Sequence, residues 1–324
     1  MRAIVVDGRS LHFDTARPEP HGGARDITVR VRRAGICATD LEILGGYMNF
    51  CGVPGHEFVG IAESGKFAGQ RVVGEINAAC GNCYDCQRAR DRHCSKRTVL
   101  GILGRDGAFA EKLTLPESNL RAVPASISDD AAVFIEPLAA AFAILEQVHM
   151  NIIKGAPAAV LGDGRLGILC ALVLANAGAV VTHIGKNENK LAISANAGVR
   201  ILQIKDRAEI SNINTKFSLV VDATGSAHGL LDALSIVEPR GTVVLKTTTR
   251  EAPPESLAKI VIDEITIIGS RCGRFEPAIA ALASGAINPL PLIHAHYPLE
   301  AAEEAFSHAS RRGTLKVIFE VAGT

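Results

Sequence analysis

Four cysteines fall within fifteen residues, at Cys80, Cys83, Cys86 and Cys94. The spacing Cys-x2-Cys-x2-Cys-x7-Cys supplies four soft thiolates on one loop, a set that suits tetrahedral Zn²⁺ in a closed, structural site. An iron–sulfur cluster is the minor alternative. Neighbours such as Asn82, Asp85, Gln87 and Arg88 are too polar for these cysteines to be ordinary core residues. In a long chain with no visible export signal, a metal site explains them better than disulfides do.

A second set is dispersed. Cys37 lies in Gly35-Ile36-Cys37-Ala38-Thr39-Asp40, His56 and Glu57 lie in Pro54-Gly55-His56-Glu57-Phe58-Val59-Gly60, and Glu136 lies further on. Spacing alone does not join these residues, and a lone Cys or a lone His-Glu pair is more often structural than catalytic.

Gly162-Asp163-Gly164-Arg165-Leu166-Gly167 fits G-x-G-x-x-G. It follows the apolar stretch Ala158 to Leu161 and opens a helical pattern from Leu166 to Ala177. In that context the glycines allow a sharp turn and close approach to a pyrophosphate, which the helix N-terminus then holds. About 20 residues on, an acid usually meets the ribose of a coenzyme that lacks a 2′-phosphate. Here the segment is His183-Ile184-Gly185-Lys186-Asn187. The missing acid at Gly185 and the cation at Lys186 lead us to expect NADP(H) in preference to NAD(H).

These groups need two kinds of scaffold. Residues 1 to about 128 are rich in Gly, Pro, Arg and short β-branched runs such as Ile27 to Val31, which reads as a β-rich domain with long loops. From about Ile135 the texture changes. Helices are expected over Glu136 to Val148, Leu166 to Ala177, Lys190 to Ala197 and Gly229 to Ile236. Strands are expected at Ala158 to Leu161, Ala179 to Ile184, Leu219 to Asp222 and Thr242 to Leu245. That alternation argues for βαβ units and a parallel sheet. An apolar strand is expected around Ile260 to Ile268. Helices then follow at Phe275 to Ser284 and Leu299 to Ala309, and a last strand at Leu315 to Val321.

The length of 324 residues suits two domains. Apolar residues make up 48%, charged residues 21%, and the formal net charge is zero. Nothing suggests a nucleic-acid footprint or a membrane partner. The start of the chain reads as a strand rather than a signal peptide, so a soluble, cytoplasmic protein is expected. Cys51, Cys170 and Cys272 are expected as small buried residues, and His149, His294, His296 and His308 as surface or satisfied histidines. Phe109 and Phe275 are assigned to the core. Tyr47 and Phe50 either line a substrate pocket or pack their loop.

Together the motifs resemble the medium-chain zinc alcohol dehydrogenase family, especially its sorbitol and threonine dehydrogenase branch. The matching segments are G-I-C-A-T-D at 35–40, G-H-E-F-V-G at 55–60, the four-cysteine loop, I-E-P-L-A at 135–139, G-D-G-R-L-G at 162–167 and D-A-T-G at 222–225. The resemblance implies an α/β protein with two domains and the active site between them. A GroES-like catalytic domain would span 1–137 plus 271–324, and a Rossmann doubly wound coenzyme domain 138–270. It implies a catalytic zinc on Cys37 and His56, with Glu57 as third ligand or close neighbour. Glu136 would be a ligand or hold zinc-bound water. Thr39 would bond the substrate oxygen, and Asp40 would orient a ligand from behind.

Gly162, Gly164, Arg165, Leu166, Gly167, Gly185, Lys186, Thr224 and Gly225 would serve the coenzyme. Arg271 matches an arginine near substrate or the zinc–water network and is grouped with that set. The chemistry implied is Lewis-acid activation of an alcohol, with Thr39 passing on the proton and hydride transfer to the nicotinamide. Glu42 stands where some relatives carry a proton-relay histidine. Only eighteen residues separate Cys37 from His56, which suggests a shortened substrate loop. A threonine- or sugar-type dehydrogenase using NAD is the alternative within enzymes. A non-catalytic NADPH-binding redox sensor or scaffold is the alternative outside them. A homodimer or homotetramer is expected, with Ile260 to Ile268 as a possible contributing edge.

Overall fold

The computed structural model describes residues 1–248 and 257–321. The chain divides into two compact units, Met1–Glu136 with Ala278 onward, and Pro137–Pro277.

The first unit opens with a hairpin, β1 (Ala3–Asp7) and β2 (Ser10–Asp14), turned by Gly8 at φ +64°. The long strand β3 (Asp26–Gly35) leads into the short helix α1 (Ala38–Leu44). There follow β4 (Glu57–Ala62), β5 (Arg71–Gly74) and β6 (Asn77–Ala78). Beyond the cysteine loop come β7 (Thr98–Val99), β8 (Lys112–Pro116), β9 (Leu120–Ala122) and α2 (Asp129–Ala132), which is capped by Ser128. The boundary between the units falls within the helix α3 (Ile135–Gln147).

The second unit alternates strands and helices: β10 (Pro157–Leu161), α4 (Arg165–Asn176), β11 (Val180–Gly185), α5 (Glu188–Asn196), β12 (Arg200–Gln203), β13 (Phe217–Asp222), α6 (Gly229–Ile236) and β14 (Val237–Leu245). Then come α7 (Ala258–Ile262), β15 (Thr266–Gly269) and α8 (Phe275–Ala283), within which the second unit ends at Pro277. The six strands form one parallel sheet in the order β12-β11-β10-β13-β14-β15. The order reverses beside β10, and a doubly wound sheet binds ligands at that switch point, outside its carboxyl ends. Helix α4 buries every residue from Gly167 to Leu174, as a helix apolar all round must. One core cluster takes in Ala159, Leu161, Phe217, Val220, Ala233 and Val243.

The expected strand over Ile260 to Ile268 is not continuous. Its first part is helix α7, and only Thr266–Gly269 is strand. The break falls at Glu264, which adopts φ +51°, a left-handed conformation that no strand contains. The apolar residues of the segment are divided between a helical turn and an edge strand.

The chain returns to the first unit through β16 (Ile293–Pro298), α9 (Ala302–Ser310) and β17 (Lys316–Glu320). Its sheet runs β16-β17-β3-β4-β5-β9, with β8 also pairing β3. Ile318 lies opposite Gly35, so the C-terminal strand flanks the strand that delivers Cys37. Phe109, Phe306 and Phe319 pack edge-on or tilted with ring centroids 5.0–6.3 Å apart. Among the described residues no helix is long and apolar enough to cross a membrane.

Candidate active site and metal centres

Cys37 caps the N-terminus of α1, and the cap fixes the position of this first ligand-capable side chain. Asp40, fully buried one turn on, accepts the Cys37 N–H at 2.7 Å through Oδ2. Its Oδ1 accepts the Gly55 N–H at 3.2 Å, and so ties the Cys37 turn to the His56 turn. His56 Nδ1 stands 3.5 Å from the same Oδ1 and makes no hydrogen bond among the described residues. That contact is electrostatic, because it is too long for a good hydrogen bond.

Gly55 sits at φ +96°, where a Cβ would meet the Phe109 ring at 2.6 Å. A Cβ on Gly101 or Gly107 would in turn strike the Gly55 carbonyl oxygen, at 2.3 and 2.2 Å. The Gly55 carbonyl accepts from Ala108 N at 2.9 Å and the Pro54 carbonyl from Phe109 N at 3.0 Å. Main chain packed against main chain thus sets the height of His56.

Cys37, His56 and Glu57 each present a ligand atom within 4.8 Å of the others. Burial works against protonation of His56, but the charges of Asp40 and Cys37 outweigh it and hold its pKa well above the ordinary imidazole value. The site therefore draws positive charge into a buried place, and the His56 Nδ1, although beside Asp40, makes no hydrogen bond among the described residues. Both features fit a bound cation. Thr39 Oγ1 lies 3.8 Å from Cys37 Sγ.

Glu136, at the start of α3, stands outside that tight group but within its electrostatic reach. Burial pushes its carboxyl up to about 7, the charges of Glu57 and Glu75 add to the shift, and His56 and Lys316 oppose it. Glu42 is exposed on α1. Phe50 packs on Val6 and Ile43, whereas Tyr47 is exposed, so the two aromatics of that loop part company.

Sequence reasoning missed Lys316. It is 1% exposed, and its Nζ donates to Glu57 Oε2 and to the Ile36 carbonyl at 3.3 Å. The Phe134 ring lies 5.6 Å away. The available signal was a lone lysine inside the apolar run Leu315 to Val321.

The four loop cysteines bring all their sulfurs within 4.8 Å of one another. The S–S separations are 4.0 Å (Cys80–Cys86), 3.5 Å (Cys83–Cys86), 3.6 Å (Cys83–Cys94) and 3.6 Å (Cys80–Cys94). A tetrahedral zinc thiolate with Zn–S near 2.3 Å requires an edge of about 3.8 Å. A disulfide requires about 2.05 Å, and a multi-iron cluster spreads its thiolates over separate irons. The fit is to one ion. The main-chain N–H of Asn82 lowers the Cys80 thiol, and that of Cys86 leads the effects that lower Cys83 to about 6. Burial drives Cys86 the other way, to about 12, and a bound cation would favour its thiolate.

The other cysteines differ from one another. Cys170 is buried and Cys272 half-buried, but Cys51 is exposed, contrary to expectation. It precedes Gly52, which takes φ +135° and pairs its main chain with Val6. His294 accepts from Leu315 N, His296 meets Asp130, and His308 meets Tyr297.

In the second unit the expected coenzyme residues gather at the carboxyl end of the parallel sheet. Gly162 takes φ +108°, and a Cβ there would strike the Ala223 carbonyl at 2.5 Å. A Cβ on Gly167 would lie 1.8 Å from the Gly162 oxygen, so helix and strand pack as closely as only glycine permits. Gly164, the N-cap of α4, faces open space, with Arg165 and Leu166 half-buried behind it. That is a cradle fit for a pyrophosphate.

His183 is fully buried beneath this turn, its Nε2 2.9 Å from the Gly162 oxygen and its Nδ1 2.8 Å from Ser194 Oγ. Thr224 donates to Asp222 through N and Oγ1, and Gly225 N donates to Thr247. Lys246 Nζ donates to the carbonyls of Ala140 and Arg271 and to Ser270 Oγ. Arg271 and Lys186 are exposed. Gly185 is buried against Asp163, whose Oδ2 accepts the N–H groups of Lys186 and Asn187 at 2.6 and 2.7 Å.

Residues 23–125 match the alcohol dehydrogenase GroES-like domain, and residues 129–321 match the glucose dehydrogenase C-terminus. The L-threonine 3-dehydrogenase of Streptomyces avermitilis is 30% identical, over 94% of this chain and 94% of its own. The rspB alcohol dehydrogenase from Escherichia coli CFT073, solved with NADH, superposes with a TM-score of 0.90 at 25% identity, covering 99% of both chains. A zinc-binding dehydrogenase from Sinorhizobium meliloti 1021, solved with NADP, does so at 0.88 and 25%, again over 99% of both. The chain belongs to the medium-chain zinc-dependent alcohol dehydrogenase family, and it is a NAD(P)-linked dehydrogenase.

Proposed function

We propose that this enzyme transfers hydride between a secondary alcohol or polyol, or the matching carbonyl compound, and a nicotinamide coenzyme. The observation that carries the reading is the convergence of Cys37, His56 and Glu57, three ligand-capable side chains within 4.8 Å in a buried, cation-seeking place. A structural metal would need a closed set of four, as the cysteine loop has; three ligands leave a position for substrate. A non-catalytic coenzyme-binding scaffold has no use for that open position.

Zinc held there supplies Lewis acidity toward the substrate oxygen, and the coenzyme supplies the hydride acceptor. The chain's own residues do the rest. Asp40 braces Cys37 and the His56 turn, Lys316 holds Glu57, and Thr39, beside the Cys37 sulfur, takes the alcohol proton and passes it on. Glu136, protonating near neutrality within electrostatic reach of these ligands, would hold the water or the substrate at the metal by a hydrogen bond.

Threonine, whose hydroxyl is a secondary alcohol, is the second reading for the substrate, favoured by the 30% identity to an L-threonine 3-dehydrogenase. The acid-free end of β11 and Lys186 support NADP(H); Asp163 against Gly185 supports NAD(H). The edge strand β15 and the exposed Val261 and Ile262 beside it support a cytoplasmic homodimer or homotetramer built along that edge.

The test is the near-ultraviolet absorbance of reduced nicotinamide, with zinc-replete protein, NAD⁺ or NADP⁺, and a panel of secondary alcohols, polyols and threonine. Turnover with one substrate group fixes the class. No turnover anywhere on the panel would sink the dehydrogenase reading for these substrates.

A further inference from the structure

We infer that Asp163, inside the glycine turn, replaces the acid that β11 lacks and selects NAD(H) against NADP(H). The inference rests on the coenzyme-site reading above. In a dinucleotide-binding sheet the residue ending the second strand meets the adenosine ribose. In this chain that residue is Gly185, and sequence alone makes the position look uncharged. The structure fills it from elsewhere. A Cβ on Gly185 would lie 2.6 Å from the Asp163 Cβ and 2.8 Å from its Oδ2, so the Asp163 side chain occupies the volume a strand-borne acid would take. Glycine is required at 185 because Asp163 is there.

The second observation concerns the 2′-phosphate. The adjacent N–H groups of Lys186 and Asn187 form an anion-binding pair at the entry to α5. Both donate to Asp163 Oδ2, at 2.6 and 2.7 Å. The Lys190 ammonium, a natural partner for a phosphate, lies 3.8 Å from Asp163 Oδ1. The donors and the cation that a 2′-phosphate needs are thus already committed to an internal carboxylate. A phosphate arriving there meets a negative charge and occupied donors, whereas a ribose hydroxyl meets an acceptor oxygen. Lys186, which alone suggests NADP(H), sits beside that carboxylate rather than beside open donors.

The test measures binding, not turnover. Calorimetric titration of the full zinc-replete protein with NADH and with NADPH gives the ratio of the two affinities. Wild type should bind NADH more tightly. Asp163→Asn keeps an acceptor oxygen for the two N–H groups and removes the charge, and Asp163→Ala frees the donors. Each should shift the ratio toward NADPH by about tenfold or more, the effect of one unit charge near the phosphate. A purely structural role for Asp163 would weaken both coenzymes alike and leave the ratio unchanged; that result, or a wild type favouring NADPH, overturns the inference. If the ratio shifts as expected while no alcohol is oxidised, the selectivity stands and the dehydrogenase reading fails alone.

Discussion

Lys316 and Glu57 form an ion pair across 259 residues of chain, each side chain only 1% exposed. Glu57 is itself one of the three candidate catalytic ligands. Breaking one side of such a buried pair strands the other charge and costs about 3–5 kcal/mol, whereas removing both is far milder. Lys316→Met should therefore lower the denaturation midpoint sharply, and Lys316→Met with Glu57→Gln should recover much of the loss. Chemical denaturation of the three proteins checks this; additive losses would show that the pair is not coupled.

The two metal sites should separate by mutation. Wild type should carry two zinc ions per chain by elemental analysis. Cys83→Ser should remove one and lower stability, since a structural zinc contributes directly to folding. Cys37→Ser should remove the other, abolish turnover and leave coenzyme binding intact. Turnover retained by Cys37→Ser would defeat the catalytic assignment.

Glu136 should behave as a partner of the metal rather than as one of its essential holders, because it stands outside the tight ligand group. Glu136→Gln should retain both zinc ions while turnover falls about 10- to 100-fold, the usual cost of losing an outer partner. Loss of one zinc in this variant would make Glu136 a ligand instead.

His183 predicts an acid limit on the coenzyme unit. Burial lowers its pKa below the ordinary value near 6.5. The unfolded chain then takes up the proton first, so stability falls as pH drops below about 6.5 and is fully present above it. Thermal melting of wild type against His183→Gln should show a smaller loss between pH 7.5 and 5.5 for the variant. Parallel curves would remove His183 from the account.

Much of this was legible in the sequence because it was local. Glycine spacing, cysteine spacing and the alternation of short apolar runs each depend on neighbours within a few turns, and they located the parallel sheet and the four-cysteine loop; Cys37, His56 and Glu57 are dispersed, and only the family resemblance joined them. What escaped was long-range or conformational. Nothing near Glu57 announces Lys316. Gly185 reads as a missing acid because the acid stands 22 residues earlier, at Asp163. The apolar run at 260–268 hides a left-handed Glu264 that divides it, and no pattern of side chains encodes that break.

The interlock of Gly55, Gly101 and Gly107 reaches beyond stability. Because His56 is sited by main chain pressed on main chain, with Asp40 and the Phe109 ring beside it, its address does not depend on the exposed side chains of the nearby loop. The exposed Tyr47 and Met48 on the nearby loop can be exchanged without re-siting His56. The position of His56 is written in the backbone, and the side chains of the loop are free to vary around it.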